Sequence, residues 1–255
     1  MNQMKPVYLF VLILSLLFLA ACGNAANNPD GSSQMPVSDE GTAQISISTD
    51  ETALSDTTDY TEAAASAAAT YRDTLQKINW DDRSVAATVN GQAILQTDVA
   101  AKRALAEFSA NMERYSLSLL SGAEREAYAA QLPAYVEDPS ALTDEYVLHI
   151  LIRNAVVLQA AEQAGFSVPE EDLYAQAKQE MSLASSDAFL SAALDGYGLD
   201  EEGYIQSVSI PNIRQRSANL YLKNKFFEGK SEEERTEANY DAYIDSLVAR
   251  AQIHP

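Results

Sequence analysis

Between Asp144 and Ala164 lies the most apolar helical run downstream of the N-terminal segment, and it limits the fold more than any other feature. Leu148, Leu151, Ile152, Ala155, Val156, Leu158 and Ala161 recur near helical spacing and cover more than one face. A helix apolar over so wide an arc has no side to give to water, so it belongs at the centre of a bundle. Thr143 stands where an N-cap is needed, Asp144 and Glu145 fill the first turn, and Gly165 is placed to end the helix. His149, Arg153, Asn154 and Gln159 interrupt the run, so it does not read as a membrane span.

The rest of the chain supplies the helices that such a centre requires. Val85 to Val89, then Asn90-Gly91, then Gln92 to Ile94 spells a β-hairpin with a type I′ turn, because both turn residues tolerate positive φ. Thr97 comes next as a candidate N-cap, and Val99, Leu105 and Phe108 carry a long helix toward Tyr115. A second helix is expected over 121–134, limited by Pro133. Ser167-Val168-Pro169-Glu170 reads as a capping box before a helix over 168–183. A short helix over 187–194 precedes a long one from about Leu199 to Phe226, which Pro211 should kink or divide. Glu228 to Glu234 is a charged connector. Tyr240, Ile244 and Leu247 mark a closing helix, and 251–254 is expected as a terminal strand beside the hairpin. The fold class is therefore mainly α, with a short N-terminal β-hairpin and a possible C-terminal strand.

The N-terminal segment bears on location. Lys5 precedes an apolar stretch from Val7 to Ala21, which ends in Leu19-Ala20-Ala21-Cys22, the only cysteine. That pattern is a secretory signal with a cleavage site, short for a span of about 20 residues. It resembles the lipobox of bacterial lipoproteins, which implies that Cys22 becomes the first mature residue and carries a covalent diacylglycerol or acyl lipid. The expected location is outside the cytoplasm, lipid-anchored to a bacterial cell membrane. Residues 1–21 are then the signal peptide and 22–56 a disordered acidic linker, poor in large apolar residues. Within it, Ala43 to Ile47 alternates like a strand but has no nearby partner. Residues 57–80 form an Ala-rich helix with Tyr60, Ala64, Tyr71, Leu75 and Ile78 near helical spacing, and 81–255 form the body.

Charge and chemistry narrow the functions. The formal net charge is −20, so nucleic acid, whose phosphates must be met by cations, is not an expected partner. An anionic membrane surface repels the body for the same reason, which leaves contact through the lipid alone. Without a second cysteine the fold is held by an apolar core. No His/Cys cluster with metal-ligand spacing is present, and neither a serine elbow nor a hard-cation loop is spelled. His149 reads as a core histidine and His254 as a solvated one. No catalytic residue, metal or other cofactor is expected, and the chain does not read as an enzyme.

In their order, several segments resemble the N-terminal domain of the SurA and PrsA group of extracytoplasmic foldases. Val85 to Ile94 looks like the opening Val-Ala-x-Val-Asn-Gly-x-x-Ile of that group. Residues Leu148 to Ala164 look like its central segment, and Gly165 to Glu171 like the cap after it. Tyr197-Gly198-Leu199-Asp200-Glu201-Glu202-Gly203-Tyr204 resembles the Phe/Tyr-Gly-Leu-(Ser/Thr/Asp)-x-Glu-x-Tyr segment. Tyr240 to Leu247 with Ala251-Gln252-Ile253 resembles the closing helix and strand. The likeness covers roughly 84–254 and implies a SurA/PrsA/trigger-factor-like chaperone domain. Relatives with a parvulin prolyl isomerase domain carry it before the closing helix. Here Gly229 to Glu237 is far too short for a domain of about 100 residues.

The expected function is that of a membrane-tethered holdase, which binds unfolded or nascent secreted chains without isomerase activity. Thirteen tyrosines offer rigid apolar contact that does not demand one sequence. Tyr128, Tyr135, Tyr197, Tyr204 and Phe227 are the candidate peptide-binding residues. The alternative is a structural or adaptor lipoprotein for one envelope or export partner, and a homodimer formed by exchange of terminal elements is a further possibility.

Overall fold

The computed structural model describes residues 51–184 and 188–255, with side chains from Tyr60 onward. The expected signal peptide, Cys22, residues 22–50 of the expected linker and the alternation at Ala43 to Ile47 lie outside the described residues.

Helix α1 (Glu51–Leu75) begins and ends earlier than the expected 57–80, so 51–56 is helical rather than linker. It also packs against the rest of the fold, a point that the sequence leaves open. Ala67, Ala68, Tyr71 and Leu75 are buried. Small side chains let the helix approach its neighbour closely. A Cβ added at Gly196 would lie 2.8 Å from Leu75 Cδ1 and 3.3 Å from the Arg72 Cα, so only glycine fits where α7 (Ala188–Tyr197) meets α1.

Strands β1 (Val85–Val89) and β2 (Gln92–Leu95) form the expected hairpin. Asn90 has φ of 49° and Gly91 of 87°, as a type I′ turn requires. Strand β3 (Ile253–His254) pairs antiparallel with β1, giving an open sheet of order β2-β1-β3. The terminal strand is thus where the sequence puts it. Asn90 joins three parts of the chain. Its backbone N–H donates to the Gln252 carbonyl at 2.8 Å, and its side-chain oxygen accepts from the Gln252 N–H at 2.8 Å. Its Nδ2 donates to Gln159 Oε1 at 2.7 Å, and Gln159 Nε2 returns to the Val89 carbonyl and Gln92 Oε1.

Helix α2 (Gln96–Ser118) starts one residue before Thr97, which is therefore not the cap. The Asp98 carboxylate, inside the first turn, instead reaches back and accepts from the N–H of Leu95, the residue before the helix, at 2.8 Å. The helix expected over 121–134 is two pieces, α3 (Gly122–Ala129) and α4 (Ala134–Glu137), with Pro133 at the N-cap of the second. Arg114 holds α4 in place by donating to the carbonyls of Tyr135 and Val136.

Helix α5 (Asp144–Gln163) is the centre that its pattern predicts. Thr143 caps it by accepting from the Tyr146 N–H at 3.1 Å. Gly165, at φ of 97°, ends it in a Schellman motif: Phe166 N–H donates to the Ala161 carbonyl and Gly165 N–H to that of Glu162. Helix α6 (Glu170–Ala184) starts after Pro169, whose carbonyl accepts from Asp172 and Leu173. Ser167 therefore sits too early for the expected capping box. After α8 (Glu201–Tyr204), capped by Asp200, residues Ile205–Ser209 widen into a π turn before α9 (Ile210–Phe227). Pro211 explains the widening. It donates no N–H, and its ring would meet the carbonyl four residues back in a regular α-helix. Helix α10 (Glu237–Arg250) closes the bundle and is tied to α5 by Arg153, which pairs with both Asp241 and Asp245.

The core falls into three clusters. One joins α1, α2, α6, α7, α8, the π turn and the start of α9 around Leu75, Leu173 and Ile213. The second joins the hairpin, α2, α4 and α5 around Val89, Val136 and Val147. The third joins α5, α9 and α10 around Ala161, Leu222 and Ile244.

Replacing Asn90 separates turn geometry from tethering. Asn90→Gly retains the positive φ but loses the side-chain bonds to Gln252 and Gln159, and should lower unfolding free energy by about 1–3 kcal/mol in urea titration. A neutral Asn90→Gly would show that the turn alone matters.

Candidate functional site

The five aromatic candidates do not share one groove. Tyr128 and Tyr135 belong to the cluster under the hairpin, Tyr197 and Tyr204 to the α1/α7 cluster, and Phe227 to the α9/α10 cluster. Tyr135 is 5% exposed and packs edge-on against Tyr146, with ring centroids 5.7 Å apart. Tyr204 is 8% exposed and stands edge-on to Tyr197, which in turn packs against Trp80 at 5.0 Å. Burial raises the hydroxyl pKa values of Tyr71, Tyr197 and Tyr204 above the ordinary tyrosine value, so all three stay protonated. These rings are core packing for the helices that carry them. Period and composition do not separate a buried tyrosine from a groove-lining one.

Tyr128 has a different role. Its hydroxyl donates to Glu113 Oε2 at 2.6 Å and so fastens α3 to α2. Glu113 is 8% exposed. Burial raises its carboxyl above the usual glutamate value, opposed by the bond from Tyr128. Nothing in the sequence marks this pair, since one glutamate in a helical pattern ordinarily faces water. The reverse correction applies to His149, which the apolar run around it places in the core. It is exposed, because it falls on the outward arc of α5 between the buried Val147 and Ile150.

Two open clefts stand out among the described residues. The first, of about 430 Å³, is lined by Tyr221, Asn224, Lys225, Phe227, Glu228 and Arg235. Phe227 is the one sequence-predicted residue that lines either of them. Behind it stand Phe226 stacked on Tyr243 at 4.7 Å and Tyr240 packed against both phenylalanines. Lys230 Nζ lies 2.9 Å from the Phe226 ring centroid, a cation–π contact at the cleft's margin. Arg235 is oriented by donating to the Lys230 carbonyl at 3.1 Å. The sequence signal for this cleft is the density of cations from Lys223 to Arg235 in an otherwise acidic chain.

The second cleft, of about 530 Å³, lies between the end of α1 and the first three turns of α2, with Asp144 at its rim. Ile78, Val99, Ala100 and Ala104 supply apolar surface, and Lys77, Asn79, Thr97 and Arg103 supply polar groups. Arg103 is bound to Asp144 at 2.8 Å and to Glu107 at 3.2 Å. No sequence motif points to it.

Among the described residues no group of three or more His, Cys, Asp or Glu side chains is placed to hold a metal ion. No described helix is long and apolar enough to cross a membrane. No protein-family model matches the chain, and no curated protein or solved structure matches it.

The Glu113–Tyr128 pair makes a signed prediction. Because its folded-state pKa is raised, the contribution of Glu113 is full below the ordinary glutamate value and is lost as pH rises through the raised one. Glu113→Gln, which cannot ionise, should therefore hold stability at neutral pH equal to or above that of the parent. Tyr128→Phe strands the carboxylate and should cost about 1–3 kcal/mol at pH 7, less in acid. Thermal melts at pH 4 and pH 7 check both.

Proposed function

We propose that this protein is a membrane-tethered extracytoplasmic chaperone-type binding protein that holds segments of unfolded or nascent secreted chains and has no prolyl isomerase activity. The lipid on Cys22 supplies the tether. The order of hairpin, long helix, apolar central helix, closing helix and closing strand supports the likeness to SurA and PrsA N-terminal domains. The observation that carries the binding role is the Phe227 cleft. It offers aromatic surface flanked by Lys225 and Arg235 at the connector between α9 and α10. Its volume suits one or two side chains of an extended segment rather than a whole collapsed chain. Contact is therefore local, with aromatic or acidic residues of the client entering between ring and cation.

The dedicated adaptor is the second reading, and one observation favours it. Tyr135, Tyr197 and Tyr204 are used in core packing and leave less exposed aromatic surface for promiscuous binding.

The full chain should suppress aggregation of a denatured model protein at near-stoichiometric ratio, and Phe227→Ala should weaken that suppression several-fold while leaving helicity by circular dichroism unchanged. Absence of both suppression and unfolded-peptide binding would overturn the holdase. Crosslinking in the intact envelope that captures one dominant partner would establish the adaptor instead. Proline-limited refolding should proceed at the same rate with or without the protein.

A further inference from the structure

Helix α2 keeps an acid in its core stripe. Ala106, Ala110, Glu113 and Leu117 recur at three- and four-residue spacing on one face, and all four are buried. A carboxyl among apolar neighbours is costly whenever it is ionised. The element that meets Glu113 is lightly held. Helix α3 has no buried residue, and loops at 119–121 and 130–133 bound it. Tyr128, Ala129 and Leu132 are only half-buried against the second cluster. The Tyr128 hydroxyl on Glu113 is one polar tie. Another is Arg125 on Glu137 of α4 at 3.3 Å, an exposed ion pair of the kind that contributes little. A segment with so few buried contacts opens at lower cost than the core around it.

Tyr128 is the titratable group that faces Glu113. Burial outweighs the Tyr128 bond and keeps the proton on this carboxyl above the usual glutamate value. Tyr128 itself is raised above the ordinary tyrosine value by burial and by Glu113, so the pair changes charge at the carboxyl. The neighbouring charges turn elsewhere. Arg114 donates to Asn111 and to the carbonyls of Tyr135 and Val136. Glu137 of α4 takes Arg125, and Asp144 of α5 pairs with Arg103 nearer the start of α2. Glu124 and Glu126 of α3 and Glu62 of α1 are exposed. Among the described residues no ion pair forms at Glu113.

We propose that α3 with its flanking loops, 119–133, is a pH-dependent latch: it lies closed on α2 while Glu113 is protonated, and lifts as Glu113 loses its proton to water, which uncovers the α2 stripe at Glu113 and Leu117. Protonated, the carboxyl still accepts from Tyr128, so the closed form keeps its hydrogen bond. In the open segment Glu113 meets water and ionises at its ordinary value, about 4.3. In the closed segment it ionises above that. Closure is therefore fully favoured below the ordinary value and loses ground as pH rises through the raised one. Between the two values the opening constant rises by up to about tenfold per pH unit. The inference does not depend on the Phe227 cleft or on the chaperone reading.

Amide hydrogen exchange of the full chain in detergent micelles, followed by mass spectrometry from pH 5 to pH 8 and corrected for the intrinsic pH dependence of exchange, reads the opening. Protection over 119–133 should fall about threefold or more as pH rises. Glu113→Gln, which stays uncharged, should hold it level. Tyr128→Phe strands the carboxylate and should lower protection more at pH 8 than at pH 5. Arg125→Ala removes only the exposed ion pair and should leave the pH profile in place. A level profile in the parent overturns the latch, as does a profile that survives in Glu113→Gln or disappears in Arg125→Ala. A loss in Tyr128→Phe that is equal at both pH values overturns it too, since a merely structural contact would behave that way.

Discussion

One primary amide, on Asn90, meets the closing strand through Gln252 and the central helix through Gln159. Asn90 and Gln252 are 162 positions apart in the chain. The apolar clusters supply most of the burial, but burial is non-directional and would tolerate sliding of β3 along β1. Paired hydrogen bonds at one side chain do not tolerate it. They fix which residue of β3 faces β1, and through Gln159 they fix the rotation of α5 under the sheet. Arg153 then repeats the constraint at a second point by holding α10 against α5. The open, three-stranded sheet is too small to be stable alone. Its place is secured by this network and by the half-buried and buried residues beneath it, Val89 and Ile94 among them.

Where a rule of local chemistry acts alone, the sequence reads cleanly. Asn90-Gly91 makes the I′ turn, Thr143 caps α5, Gly165 ends it, Pro211 breaks the run before α9, and the terminal strand joins the hairpin. Where two local solutions compete, the reading drifts by a residue or more. Thr97 is a good cap, but Asp98 reaches back to Leu95 and the helix begins earlier. Ser167 suits a capping box, but Pro169 supplies its carbonyl and the helix begins later. Tertiary placement is less legible still. The company His149 keeps in the chain suggests the core, and a rotation of about 100° per residue puts it outside. The aromatic candidates fail to converge for the same reason: spacing along a helix gives a face, not the neighbour that covers it. Among the described residues Phe227 is the candidate that lines one of the two clefts, since it lies where a helix ends and packing is incomplete.

The Ala-rich helix changes how the proposed tether would relate to the body. As a loose spacer it would let the body sample a range of distances from the proposed anchor. Packed through Ala67, Ala68, Tyr71 and Leu75 and locked at Gly196, it is instead one wall of the fold and of the cleft that holds Lys77 and Thr97. Truncation at its end would therefore remove core, not merely reach. The two described clefts occupy different junctions, one beside α1 and one at the end of α9. Occupancy of one does not require the residues of the other.

The π turn at Ile205–Ser209 has a consequence for reading chains of this kind. A π turn holds one residue more than the α turn it replaces, so it acts as an insertion absorbed within a helix rather than in a loop. Every side chain after it is offset by about one position, roughly 100°, relative to an uninterrupted helix. Ile210 and Ile213, beyond the turn, pack in the same cluster as Tyr204 and Ile205 before it, while Ala218 and Leu222 further along join another. A gapless alignment to a relative with a regular helix there would be out of phase on one side of Pro211. It would score the two halves of the helix as unrelated although their backbones coincide.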